Sequence, residues 1–143
     1  VTLRAVIDAQ AWVSAALTRR GPARAIVDEF ALEGPFTIVS SAYIHREILD
    51  VLARPHVAKR IARGFDAAEW LGLVELVAVE FAEEAIGPAL SDDPKDDPYL
   101  WAAFVGGASR VVSWDADLLN VKHYRGIEVV TPETFLRELR RVR

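Results

Sequence analysis

The chain of 143 residues has no cysteine. Disulfides, thiolate metal sites and cysteine nucleophiles are excluded together, and a reducing compartment fits. Methionine is absent as well. No apolar run approaches the roughly 20 residues of a membrane span, and the opening VTLRAVID meets charge too early for a signal peptide. Neither export nor membrane insertion is expected, and a cytoplasmic location is. Excess basic charge is also missing. The net charge is −4, which argues against a sequence-blind coat on nucleic acid, because such binding rests on many cations displacing counterions from phosphate. The positive charge that exists gathers in Arg137, Arg140, Arg141 and Arg143. There it complements a helix C-terminus or reaches a phosphate or a partner.

Absent motifs narrow the chemistry further. There is no GxxxxGK[ST] loop, and no GxGxxG follows the first apolar run, so the usual phosphate-cradling nucleotide folds are disfavoured. No Gly-x-Ser-x-Gly elbow offers a serine nucleophile. His45, His56 and His123 show no zinc-binding spacing. A phosphatase working through a phosphorylated aspartate would need an acid where Gln10 stands.

What the chain does contain is enough apolar material for a full core, 52% of residues, arranged in alternating strand and helix patterns. Residues 2–7 (TLRAVI), 36–40 (FTIVS), 77–81 (VAVEF), 110–113 (RVVS) and 127–130 (IEVV) read as five short buried strands. Helices are expected from Ala9 to Leu17, from Pro22 to a C-terminal Gly34, and after Ser40 or Ser41 until Arg54-Pro55. Others are expected from Val57 to Arg63, from Asp66 to Leu76, from Pro98 to Gly106, and after Thr131-Pro132. The alternation demands an α/β fold with a mostly parallel sheet, as one domain over residues 1–143.

Acids mark the ends of these elements. Asp8 closes the first strand and Asp115 follows the fourth, the edge at which open parallel sheets bind ligands. Each would also serve as a helix N-cap or turn residue, and Asp97 before Pro98 has the pattern of a capped helix start. Asp92, Asp93 and Asp96 form a solvated turn or enlarge a cation site, and Asp117 fits a turn. Glu47 lies off the apolar stripe of its helix and has no sensible partner in Arg46 beside it. Carboxylates brought to one sheet edge repel by roughly 3 kcal/mol per pair at ~5 Å and an effective dielectric of ~20. A divalent cation is the natural remedy.

Five segments in order, VIDAQAWVSAAL, SSAYIHREILDVLARP, DDPKDDPYLWAA, RVVSWDADLL and GIEVVTPETFL, resemble the successive motifs of PIN-domain nucleases. The likeness is closest to the toxin components of bacterial toxin–antitoxin pairs. It implies a single PIN-like domain with a parallel five-stranded sheet of order 3-2-1-4-5 flanked by helices. By the same likeness Asp8, Glu47, Asp97 and Asp115 are the catalytic acids, and Asp8, Asp97, Asp115 and Asp117 the metal ligands. Gln10, Asp96 and Ser113 are auxiliary. The implied activity is a Mg²⁺- or Mn²⁺-dependent endoribonuclease, with Glu47 as ligand or general base. An RNA substrate, a cognate antitoxin protein and a homodimer formed by helix faces near Trp70 are its implied partners.

Two departures from the family pattern stand out. Asp8-Ala9-Gln10 replaces an acid followed by threonine and a small polar residue, so a catalytically weak or inactive scaffold that binds RNA or a protein is the alternative. Trp114 stands where the family has a small or basic residue, either packed or offering a base-stacking platform. A receiver-like phosphoacceptor domain ranks below both readings, because it would want a lysine after the fifth strand.

Overall fold

The computed structural model describes residues 3–18, 20–31, 36–61, 66, 69–70, 72, 79–82 and 86–142. Strand β1, Leu3–Ile7, becomes fully buried toward its end, and α1, Ala9–Leu17, starts at once because the Asp8 side chain accepts from the Ala11 N–H. Gly21, at φ 129°, turns the chain where a side chain would be strained, and Pro22 opens α2, Pro22–Ala25. A π-helical stretch, Ile26–Ala31, continues it. Strand β2, Phe36–Ser40, is followed by α3, Ala42–Ala53, capped by Ser41 on the Ile44 N–H. The buried stripe of α3 is Ile44, Ile48, Val51 and Leu52, and Pro55 begins the short α4, Pro55–Ala58.

Strand β3 is Val79–Phe81. Then come α5, Asp97–Val105; β4, Arg110–Val112; α6, Ala116–Val121; β5, His123–Tyr124; β6, Ile127–Val130; and α7, Pro132–Arg141. Asp66 accepts from the Glu69 N–H at 3.0 Å, the bond expected of a cap. The remainder of that expected helix, like Gly34, the segment past Ile61 and the start of the third strand, lies outside the described residues.

The fold is α/β, with a six-stranded sheet of order β3-β2-β1-β4-β6-β5. Four pairings are parallel, and β5 runs antiparallel to β6 with His123 opposite Glu128. The sheet is mostly parallel as expected, and the antiparallel edge strand corrects the parallel five-stranded sheet of order 3-2-1-4-5 that the resemblance implied. The chain doubles back through Arg125 and Gly126, both at positive φ, as a tight hairpin requires, and so adds an edge strand before the last parallel one. The region after Asp115, read as a turn, also forms a helix, capped by that residue.

The core centres on Trp12, Phe30, Phe36, Ile38, Leu100, Leu118, Phe135 and Leu139, all nearly sealed from solvent. Phe36 and Phe135 meet edge to face at 5.2 Å, joining β2 to α7. Each such ring contributes about 1.5–3 kcal/mol of burial. Trp70, half-buried, packs edge-on against Trp12 at 6.0 Å. Among the described residues no helix is long and apolar enough to cross a membrane.

Candidate active site

Strand β1 has β2 on one side and β4 on the other, so the chain's direction of travel across the sheet reverses there. The backbone bond from Asp8 N–H to the Val112 carbonyl, 3.1 Å, carries the β1–β4 pairing past the last residue of β1. Asp8 and Ser113 therefore emerge side by side at the carboxyl ends of their strands, in the crevice that doubly wound sheets use for ligands.

Ser113 links the two acids. Its hydroxyl donates to Asp8 Oδ2 and accepts from the Asp115 N–H at 2.9 Å. Asp8 is almost wholly buried, and its other oxygen accepts the capping bond from Ala11 N–H at 2.8 Å. Burial lifts its carboxyl to a pKa of about 6, against the lowering effect of Ser113 and the Ala11 N–H and with a further push from the charge on Asp115. Asp115 is half-buried, and its Oδ1 accepts from the N–H groups of Asp117 and Leu118.

The neighbouring acids Asp96 and Asp97 behave differently. Asp97 is buried, with Oδ1 accepting from Leu90 N–H, Ser91 N–H and the Ser91 hydroxyl at 3.2, 2.8 and 2.8 Å. It anchors the returning loop and is the first residue of α5, where the sequence placed a cap. Asp96 lies within hydrogen-bonding reach of Asp115, and its buried Oδ2 has no partner. Desolvation, then the charge and hydrogen bond of Asp115, then Asp93 and Asp117, raise its carboxyl to about 7. Asp117 is raised as well, by lost water contact and by Asp115, Asp92 and Asp93.

One carboxylate oxygen each from Asp93, Asp96 and Asp117 lie within 4.8 Å of one another. This group borders Asp115 and includes neither Asp97 nor Glu47. Glu47 stands one helical turn after Tyr43, whose hydroxyl donates to the Lys95 carbonyl at 2.8 Å. Burial, then the charge and hydrogen bond of Glu47, push the Tyr43 phenol up to about 12. Tyr99 meets Tyr43 edge to face at 6.1 Å, and its hydroxyl accepts from the Ala9 N–H at 3.3 Å. Desolvation, followed by Asp8, Glu47 and Tyr43, raises this phenol strongly. The tyrosines thus connect the Glu47 helix to the acidic loop and to the start of α1.

Gln10 is exposed, and its side-chain amide makes no hydrogen bond among the described residues. Trp114 is 37% exposed, and its indole N–H donates to both carboxylate oxygens of Glu133 at 2.9 Å. Sequence reasoning did not foresee the roles of Tyr43 and Tyr99. The signal available was spacing, since Tyr43 stands four residues before Glu47, which puts the two on one helix face.

The donor chemistry suits a hard cation. The three converging groups are carboxylates, one with a buried oxygen that lacks a donor, and the histidines lie outside the cluster. Mg²⁺, Mn²⁺ and Ca²⁺ prefer such oxygens.

A family model described as PIN domain matches residues 4–117. The chain belongs to the PIN-domain family, whose members are generally metal-dependent nucleases and typically act on RNA. The crystal structure of PAE2754 from Pyrobaculum aerophilum is similar to it, with a TM-score of 0.56 and 18% sequence identity over 97% of this chain and 90% of that one. That likeness concerns the fold. No curated protein matches the sequence.

Proposed function

We propose that residues 1–143 form one PIN domain that acts as a metal-dependent endoribonuclease, hydrolysing phosphodiester bonds in unstructured RNA. The observation that carries the reading is the gathering of Asp8, Asp96, Asp115 and Asp117 at the ends of β1 and β4, with Ser113 bonded between Asp8 and Asp115. Asp96, Asp117 and Asp93 would hold a Mg²⁺ or Mn²⁺ ion, with Asp8 and Asp115 beside them. Asp97, a metal ligand by family likeness, takes the role of positioning residue, because its Oδ1 already holds the loop at Leu90 and Ser91.

A bound divalent cation would lower the pKa of water, neutralise charge on the phosphate and stabilise the leaving oxygen. The protein's own groups do the rest. Ser113 fixes the orientation of the Asp8 carboxylate, and Glu47, beside Tyr43, would serve as ligand or general base. Tyr43 ties the Glu47 helix to the Lys95 backbone and so to the acidic loop. No histidine or cysteine is required by this scheme.

The reading extends to a toxin held by a cognate antitoxin in the cytoplasm, and to a homodimer. Like charge at the site suits an inhibitor that directs an arginine at the carboxylates. The exposed Gln10 amide favours the second reading, a weak or inactive scaffold that binds RNA or a partner. Cleavage of a single-stranded RNA with Mn²⁺ separates the two. The wild-type chain should cut, chelation should stop it, and Asp8→Asn should lower the rate about 100-fold or more. Full activity of Asp8→Asn would remove the site assignment, and metal binding without cleavage would leave the scaffold. A short adjacent reading frame for a DNA-binding protein would support the toxin role.

A further inference from the structure

The Lys95 carbonyl and the Asp96 N–H belong to one peptide group, and both of its polar ends are taken. The N–H bonds to the Asp93 carbonyl at 3.0 Å, inside the turn, while the carbonyl accepts the Tyr43 hydroxyl at 2.8 Å from α3. That peptide carries Asp96, the acid whose buried Oδ2 has no partner and whose carboxylate converges with those of Asp93 and Asp117. Other bonds that shape the turn come from within it: Lys95 N–H to Asp93 Oδ1 at 3.0 Å, and the Ser91 hydroxyl to the Asp93 carbonyl at 2.7 Å. The bond from Tyr43 comes from 52 positions away and from another element. Its ring is well held there. Ser41 caps α3 on the Ile44 N–H, and the ring meets Tyr99 edge to face at 6.1 Å. Tyr99 is itself buried and bonded to the Ala9 N–H at 3.3 Å, next to Asp8. Burial, then the charges of Glu47, Asp96 and Asp93, raise the Tyr43 phenol to about 12, so at neutral pH it keeps the proton it donates.

We propose that Tyr43 is a positioning residue for the cation site: from α3 it holds the Lys95–Asp96 peptide, so that Asp96 stays aimed at Asp93 and Asp117. The proposal rests on the metal-dependent reading and adds to it a residue that acts on a ligand rather than on the cation. Electrostatics gives the reason. Like charge drives the Asp96 carboxylate away from Asp115, Asp93 and Asp117 when no cation lies between them. A hydrogen bond on its own peptide, from a ring fixed on another element, opposes that drift and keeps the ligand in place before the metal arrives. Partners of this outer kind orient metal ligands, and their loss lowers affinity about 10- to 100-fold.

The test sets Tyr43→Phe, which removes the hydroxyl and keeps the ring against Tyr99, beside Trp101→Phe, which removes the bond to the Pro88 carbonyl, 3.1 Å long, where the same loop begins. Each variant loses one side-chain bond to the backbone of the loop. Asp97, however, pins Leu90 and Ser91 between Pro88 and the acids, so a disturbance at Pro88 stops short of Asp96. Calorimetric titration with Mn²⁺ at neutral pH should show binding about 10- to 100-fold weaker in Tyr43→Phe than in wild type, and unchanged in Trp101→Phe. Equal affinity in wild type and Tyr43→Phe would overturn the proposal and leave Tyr43 a structural tether. Equal losses in the two variants would overturn it as well, since any loosening of the loop would then suffice. No binding to wild type would instead sink the metal reading itself, and the proposal with it. The measurement needs no substrate, so absence of RNA cleavage does not bear on the result.

Discussion

Near the start of β1, Arg4 lies 2.7 Å from Glu80, and at the start of β4, Arg110 lies 3.0 Å from Glu138. Beyond the opposite ends of those strands, Asp8 and Asp115 face other acids. The paired ends are partly solvated, and such pairs contribute about 0–1 kcal/mol each. The acidic end works against folding, since burial and like charge raise both Asp8 and Asp96. Asp8 and Asp115 cap helices, but stability gives no reason to bring Asp96, whose buried Oδ2 has no partner, against Asp115. A ligand of opposite charge does, and this is the contrast from which the functional reading follows.

Substitutions at the two ends should separate by their effects. Asp96→Asn or Asp115→Asn should weaken Mn²⁺ binding about 100-fold or more by calorimetry, whereas Arg110→Ala should leave it unchanged and cost about 1 kcal/mol or less in urea unfolding. Equal effects at both ends would break the comparison. Within the acidic end, Asp97→Ala should behave as a structural change. It strands the N–H groups of Leu90 and Ser91, while the Ser91 hydroxyl can still donate to the Asp93 carbonyl, and should cost about 1–3 kcal/mol of stability.

That difference between neighbours explains what the sequence could and could not reveal. Caps such as Ser41 and Thr131 were legible because the residue and the N–H it satisfies lie three positions apart. The parallel strands were legible as apolar runs between helices, and acids at the ends of β1 and β4 followed from them. Strand β5 has two residues, too few for any periodicity, and its pairing depends on a turn at Arg125-Gly126. That Asp97 Oδ1 anchors the loop at Leu90 and Ser91 was not legible, because no local pattern encodes where that loop returns. Tyr43 was equally opaque, because its partner is the Lys95 backbone 52 positions away.

Acidity offers a further test. Asp8 at about 6 and Asp96 at about 7 are both raised from 3.8, so the folded chain binds more protons than the unfolded one between about pH 4 and 7. Metal-free stability should therefore fall as pH rises through that window and level off above it, once other groups are held constant. Thermal melting should show the decline reduced in Asp96→Asn. Millimolar Mn²⁺ should restore stability above pH 7 and lose effect toward pH 6, as protons compete for the carboxylates. A smaller change is expected of Tyr43→Phe, which loses the bond to Lys95 and should cost about 0.5–1.5 kcal/mol while leaving the α3 stripe intact.

Calorimetric titration of Mn²⁺ at pH 7.5, on the wild-type chain and Asp96→Asn in parallel, reads the central claim most directly. The account predicts saturable binding at millimolar metal or below for wild type, and its loss in Asp96→Asn while the variant melts at the same temperature or higher. No binding to wild type, or undiminished binding to Asp96→Asn, would contradict it.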